Sequence, residues 1–262
     1  MPFSRKKPEI QGGLSGTALK YIAMTTMLAD HIGAVLLERI VYYRGNLEQV
    51  AMLMTSQWGD TLYWLWRMLR TVGRIAFPIY CFLLVEGFLH TRDWRRYWLR
   101  MAAFALISEI PFRLAVWNTW AGGGCNVYVE LAIGLLVLRG LKQSEGLTQP
   151  RRAAGMAAVI GGGCLAAVFL KADYDMDGIL IISLFYLLRE KRIVQVMSGG
   201  ILSLLESWNM CYGAGILSAV PLYFYNGKKG QAPWKYAFYW FYPLHLMVLF
   251  FIRLYVVGIP LG

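Results

Sequence analysis

The chain has 262 residues, of which 58% are apolar and only 16% charged, with a formal net charge of +11. Soluble domains are nearer about 45–50% apolar and about 25% charged, so this composition excludes an ordinary soluble fold. It predicts an all-α, polytopic transmembrane helix bundle, read as a single integral membrane domain over 1–262, because no stretch is left for a soluble domain of normal size.

Nine apolar runs are expected as spans, near 19–41, 71–89, 97–117, 126–140, 153–170, 176–188, 193–206, 211–225 and 236–257. A full crossing takes about 20 residues, so the runs at 176–188 and 193–206 are short. No short apolar core with a small-residue cleavage site follows Arg5, Lys6 and Lys7, so the first span itself is expected to direct insertion. Between the first and second spans, Trp58–Arg70 carries Trp58, Trp64 and Trp66 beside Arg67 and Arg70. It reads as an interfacial amphipathic helix. The fifth span is crowded with small residues from Ala153 to Gly163, which predicts close helix packing and permits a homodimer without requiring one. No internal repeat is visible, which counts against a transporter built from inverted halves.

The basic residues form no single stripe with interleaved aromatics, so nucleic acid is not an expected partner. They cluster in alternate connections: Arg5/Lys6/Lys7, Arg92/Arg95/Arg96, Arg139/Lys142/Arg151/Arg152, Arg189/Lys191/Arg192 and Lys228/Lys229/Lys235. The opposite connections hold few, such as Arg44 and Lys171. The positive-inside rule then puts the N-terminus in the cytoplasm and the lipid bilayer around the bundle. None of Cys81, Cys125, Cys164 and Cys211 has metal-site spacing, so no metal is expected. A Cys125–Cys211 disulfide at the outer face stays open.

Titratable groups inside a membrane are costly and mark candidate sites. Asp30 and His31 lie near the middle of the first span, and His245 near the middle of the last. Neighbouring helical residues point about 100° apart, so Asp30 is badly placed to orient His31. Asp30 is read as an ion-pair anchor, with Arg74 one partner, and His31 as the reactive group. His245 is the second candidate. Glu86, Glu109 and Arg74 complete the buried charged set, while Asp173, Asp175 and Asp177 read as solvated loop residues. Pro78, Pro111 and Pro243 interrupt spans; each is read as a kink satisfied by neighbours or a break opening backbone groups onto a cavity.

Several blocks of sequence, in order, resemble the TraX family. They are Lys20–Met24 with Met27-Leu28-Ala29-Asp30-His31-Ile32-Gly33, Gly73-Arg74-Ile75-Ala76-Phe77-Pro78-Ile79 with Phe82–Phe88, and Ala105–Phe112. Asn126-Val127, Ala172-Asp173-Tyr174, Tyr225-Asn226-Gly227-Lys228 and Phe238–Leu246 follow. Arg113 departs from the pattern, which often has aspartate there. The resemblance implies a multi-pass protein of the bacterial inner (plasma) membrane, linked to conjugation and to acetylation of pilin. It implies an acyltransferase, an acetyl-CoA-dependent N-acetyltransferase with acetyl-CoA as acyl-donor substrate. In that reading His31, His245 and Asp30 form the catalytic set, with His31 as general base or acetyl carrier. Coenzyme A docks at Arg92, Arg95, Arg96, Lys228 and Lys229, and Arg74, Glu86, Glu109 and Asn126 shape the cavity. The acceptor is a small-molecule or peptide amine, or a hydroxyl. The alternatives are a proton-coupled transporter and a non-catalytic membrane subunit of a conjugation or pilus system.

Overall fold

The computed structural model describes residues 12–42, 52, 54–231, 234 and 236–259. The expected basic residues Arg5, Lys6, Lys7, Arg44 and Lys235 lie outside them. The protein is all-helical. Among the described residues the only β-type pairings are two isolated bridges, Leu14 with Tyr225 and Cys125 with Ala172.

Helix α1 (Gly16–Ile32) continues through a π-helical turn, Gly33–Leu37, to Val41. Then come α2 (Trp58–Gly73), α3 (Ala76–His90), α4 (Trp94–Phe112, extended by a π turn to Trp117), α5 (Val127–Ser144), α6 (Arg151–Phe169), α7 (Asp175–Leu187) and α8 (Arg192–Cys211). A 3₁₀ turn, Ala214–Ser218, leads into the short α9 (Ala219–Tyr223), and α10 (Ala237–Ile252) ends in a π turn to Val257. Side-chain caps start three of these helices: Ser15 accepts from the Ala18 amide, Asp93 from Arg96 and Asn126 from Tyr128.

Helix α3 is apolar all round and forms the centre, with Phe77, Ile79, Cys81, Phe82, Leu84, Val85 and Phe88 buried. Helix α2 is the amphipathic element expected from its tryptophans, burying Gly59, Trp66 and Gly73 against the bundle. Pro78 has no amide to give the Arg74 carbonyl, and the chain breaks between α2 and α3 at Arg74–Ile75. Pro243 likewise frees the Tyr239 carbonyl, which accepts from the Tyr128 hydroxyl at 3.1 Å. That kink is satisfied by a neighbour.

Two expectations change. Residues 211–225 do not form one continuous α-helix. Gly213, with φ +75°, turns the chain back, and the 3₁₀ turn and α9 run antiparallel along α8, Gly215 against Ser203 and Leu222 beside Arg192. Pro221 and the glycines leave too little regular helix to cross a bilayer alone. By length and composition, three helical stretches among the described residues are apolar enough to cross: Trp58–His90, Arg151–Phe169 and Ala237–Val257. The others carry charges inside them, as Lys20, Asp30 and Glu38 do in and after α1, or are short, as the 13-residue α7 is. All four cysteines are free thiols, so Cys125 and Cys211 are not bonded.

Contacts between loops gather the basic clusters at one end of the bundle. Arg139 lies over Trp94, Lys142 over Phe88, Arg189 pairs with Glu145 at 2.7 Å, and Thr17 donates to the Lys229 carbonyl. The other end is tied by Cys125 to Lys171 and by Arg253 to Asn118.

Candidate functional site

Where α1 crosses α2, Gly73 carries the geometry. A Cβ there would come within 2.2 Å of the Asp30 Cβ. Only glycine lets the helices approach this closely, and the approach brings two arginines onto one carboxylate. Arg70 donates to Asp30 at 2.8 Å, and Arg74 donates to both oxygens at 3.0 Å. Arg70 also lies 3.6 Å from Glu38, and Arg74 lies 3.8 Å from Glu206 on α8. Every buried charge in this network has an opposite partner, as burial demands.

His31 takes no part in it. Its Nδ1 lies 2.7 Å from His245 Nε2, and His245 Nδ1 lies 2.7 Å from the Phe241 carbonyl oxygen. A carbonyl only accepts, so His245 Nδ1 carries the hydrogen. In the neutral pair His245 Nε2 then accepts from His31 Nδ1–H, and the lone pair is left on His31 Nε2. The chain of donors fixes the tautomer of the first ring through the second, as an orienting group does for a catalytic imidazole. Phe241 stacks on the His245 ring at 4.6 Å, and Tyr242 meets both imidazoles edge-on at 5.8 Å.

His31 lines a cavity of about 300 Å³; His245 stands behind it. The charged wall is Asp30, Glu38, Arg70, Arg74, Asp173 and Glu206, and the aromatic wall is Phe77, Tyr80, Phe112, Tyr128, Tyr174, Phe238 and Tyr242. That is the size and mixed lining of a small-molecule site. The π turns after His31 and after Phe112 flank it, a placement common at functional sites. Arg253 fixes the second turn by donating to the carbonyls of Leu114 and Ala115, and Arg39 donates to that of Val116.

Asp173 and Tyr174 reach this cavity on a loop that the sequence reading treats as solvated. Lys171 (φ 51°) and Asp175 (φ 47°) hold left-handed conformations on either side of them, and the Lys171 carbonyl accepts from the Cys125 amide at 2.8 Å. Tyr174 stacks on Phe77 at 3.4 Å and lies under Arg74 at 6.0 Å. Asp173 faces the cavity, accessible there yet surrounded by protein. Burial, with the Asp30 and Glu206 carboxylates nearby, pushes its carboxyl up to about 6, against the pull of Arg74 and Arg70. Glu38, Arg70, Asp173, Tyr174 and Glu206 are among the lining groups that sequence reasoning missed. The Ala172-Asp173-Tyr174 block was the available signal for two of them.

The structure brings together Asp30, His31, Arg74 and His245, and leaves other expected residues apart. Glu109 and Asn126 do not line the cavity. Asn126 is fully buried as the α5 cap, donating to Glu109 at 2.6 Å and to the Ala105 carbonyl at 2.8 Å. Arg113, the position that departs from the expected pattern, donates to Glu109 at 2.9 Å. Glu86 also lies away from it, accepting from the Tyr225 hydroxyl at 3.4 Å. Arg92, Arg95, Arg96, Lys228 and Lys229 sit at the basic end and do not line the cavity; Arg96 pairs with Asp93 at 3.1 Å. Among the described residues no cluster of metal-ligating side chains occurs.

A family model described as "TraX protein" matches residues 15–253. The chain belongs to the TraX family. The match spans every element from α1 to the end of α10, and with the three apolar stretches it marks this TraX-family chain as a membrane protein. A curated relative, described as a probable fimbrial assembly protein FimC, serogroup H1, of Dichelobacter nodosus, is 30% identical over 232 residues, covering 78% of this chain and 88% of that protein. No solved structure matches.

Proposed function

We propose that this TraX-family protein serves pilus or fimbrial assembly from within the inner membrane, and that its cavity is a base-assisted acyl-transfer site. The observation that carries the catalytic half is the His31–His245 pair on the cavity wall, with His31 Nε2 left as the basic atom. The assembly half draws on the printed description of the Dichelobacter nodosus relative.

His31 takes the proton from an acceptor amine or hydroxyl as it attacks the acyl carbonyl, or carries the acyl group transiently. His245 orients it. Asp30 is a positioning residue: it holds Arg70 and Arg74 at the cavity wall, where their guanidinium groups face negative charge developing on the tetrahedral intermediate. The acyl donor is acetyl-CoA, entering from the basic end, which the positive-inside rule puts in the cytoplasm together with the N-terminus. In this reading the chain crosses the bilayer nine times, the eighth pass being the irregular 3₁₀ and α9 segment.

Purified protein in lipid nanodiscs, given acetyl-CoA and an amine-bearing peptide, is expected to release free coenzyme A. His31→Ala is expected to abolish the release while keeping the fold; unchanged release sinks the assignment. A second reading, a non-catalytic assembly subunit, is favoured by the relative's description alone. It predicts that cells carrying His31→Ala assemble pili normally.

A further inference from the structure

The described cavity has a second end. Phe238, at the start of α10, lines the cavity and is also covered from the basic end of the bundle. The Lys20 ammonium sits 4.9 Å over its ring, and Tyr21 meets it edge-on at 5.5 Å. Thr17, one turn before Lys20 on the same face, is bonded through both its amide and its hydroxyl to the Lys229 carbonyl. This puts the Lys229 backbone one turn from Lys20 on the same face of α1. On the other side Arg100 of α4 lies over the Tyr97 ring and faces the Tyr239 hydroxyl.

Three cations thus gather about Phe238 and Tyr239; Phe238 lines the cavity, and the cations lie beyond its lining. Among the described residues none of them is in an ion pair, unlike Arg70 and Arg74 at the other end. Like charges held together without counter-charge are unfavourable, and an anion relieves the repulsion. The amino end of α10 lies at the same place, and its helix dipole favours negative charge. From Lys20 to His31 is 11 residues along one helix, about 16 Å at 1.5 Å per residue.

We propose that Lys20, Arg100 and Lys229 form a phosphate-binding mouth, so that a ligand with a phosphate-bearing head and a reactive group on a long, slender arm is held with its head at Phe238 and its end at His31. The mouth rests on the acyl-transfer reading and deepens it, since it replaces the exposed Arg92, Arg95 and Arg96 as the phosphate contacts. The same chemistry also fits an anionic lipid headgroup, and the test separates the two sources.

Protein in phosphatidylcholine nanodiscs is titrated with coenzyme A by calorimetry. Lys20→Gln and Arg100→Gln are each expected to weaken binding about tenfold, the loss of one charge-assisted contact. Added salt is expected to shrink the difference. Lys20→Arg and Arg100→Lys, which keep the charge, are expected to bind like the wild type, and so is Glu109→Gln, which lies outside the cavity. Equal coenzyme A binding by wild type, Lys20→Gln and Arg100→Gln overturns the mouth. In the second arm, native mass spectrometry counts phosphatidylglycerol retained by each protein. If wild type binds no coenzyme A but retains phosphatidylglycerol that both Gln variants lose, the mouth stands and the acyl-donor reading fails. If wild type binds neither ligand, the mouth is overturned.

Discussion

Two polar constellations sit deep in this bundle, and they differ in what surrounds them. At the corner of α4 and α5, Glu109, Arg113 and Asn126 satisfy one another and the α5 amino end, and they line no part of the cavity. At the crossing of α1, α2 and α10, Asp30, His31 and His245 are all buried, whereas Glu109 and Arg113 are only partly so, and the network borders a cavity of about 300 Å³ and leaves one basic nitrogen unused. A polar residue at depth therefore marks a site only when space and an uncommitted atom accompany it. The first constellation holds helices together, and the second has both the glue and the chemistry.

The sharpest way to break this contrast is to compare the two at the level of turnover. His31→Ala is expected to lower acyl transfer on the order of 10²–10⁴-fold, the usual contribution of a general base, with little change in thermal unfolding. Glu109→Gln should do the reverse: near-normal turnover, with a stability loss of about 1–3 kcal/mol for the disturbed buried bonds. Normal turnover in His31→Ala, or a collapse of turnover in Glu109→Gln without unfolding, would erase the distinction.

The next largest effect falls on the ion-pair network. Asp30→Asn leaves Arg70 and Arg74 with only the more distant Glu38 and Glu206, and breaking a buried pair costs about 3 kcal/mol or more. A clear drop in the unfolding midpoint in detergent is the expected result; an unchanged midpoint would mean that Asp30 is not the anchor.

Gly73→Ala is a smaller, steric version of the same test. The added Cβ cannot fit at 2.2 Å from Asp30, so α1 and α2 must separate, at about 1–3 kcal/mol. Because separation also moves both arginines, turnover should fall together with stability.

The smallest expected effect is on pH dependence. The Asp173 carboxyl titrates near 6 in the folded protein, above the ordinary aspartate value of 3.8. Between those values the folded state holds a proton that the unfolded chain has lost, so this group's contribution to stability falls as pH rises through that window. Asp173→Asn is expected to flatten the pH–stability curve between pH 4 and 6. A curve of unchanged slope would mean that the surrounding protein does not raise the Asp173 carboxyl.

Much of the site was legible in one dimension. Asp30, His31 and His245 stand out because charge and imidazole are costly inside apolar runs, and the roughly 100° between neighbouring helical residues already assigned Asp30 and His31 to different partners. Glu86 and Glu109 were conspicuous for the same reason, and Asn126 through the family resemblance, yet they lie elsewhere. Depth along a helix can be counted from sequence, but the direction that a helix face takes in the bundle cannot. Asp173 looked like a loop residue because its inward turn depends on left-handed backbone at Lys171 and Asp175, which no residue type there announces. Arg70 looked interfacial because its helix is amphipathic, and only the close approach at Gly73 turns it onto Asp30.

The sequence by itself determined the class of the protein: apolar helices in number, basic clusters in alternate connections, and titratable groups at their centres. It also carried the family, through blocks spread along the whole chain. Tertiary structure alone decided which of those groups share a cavity, which histidine faces it, and that the run 211–225 folds back along α8 as a 3₁₀ turn and a short helix instead of one continuous α-helix. Hydropathy and charge are properties of a segment, and local patterning sets them. A cavity is a property of several segments at once, and here its shape depends on a glycine contact, two π turns and two left-handed residues whose effect appears only when the helices meet.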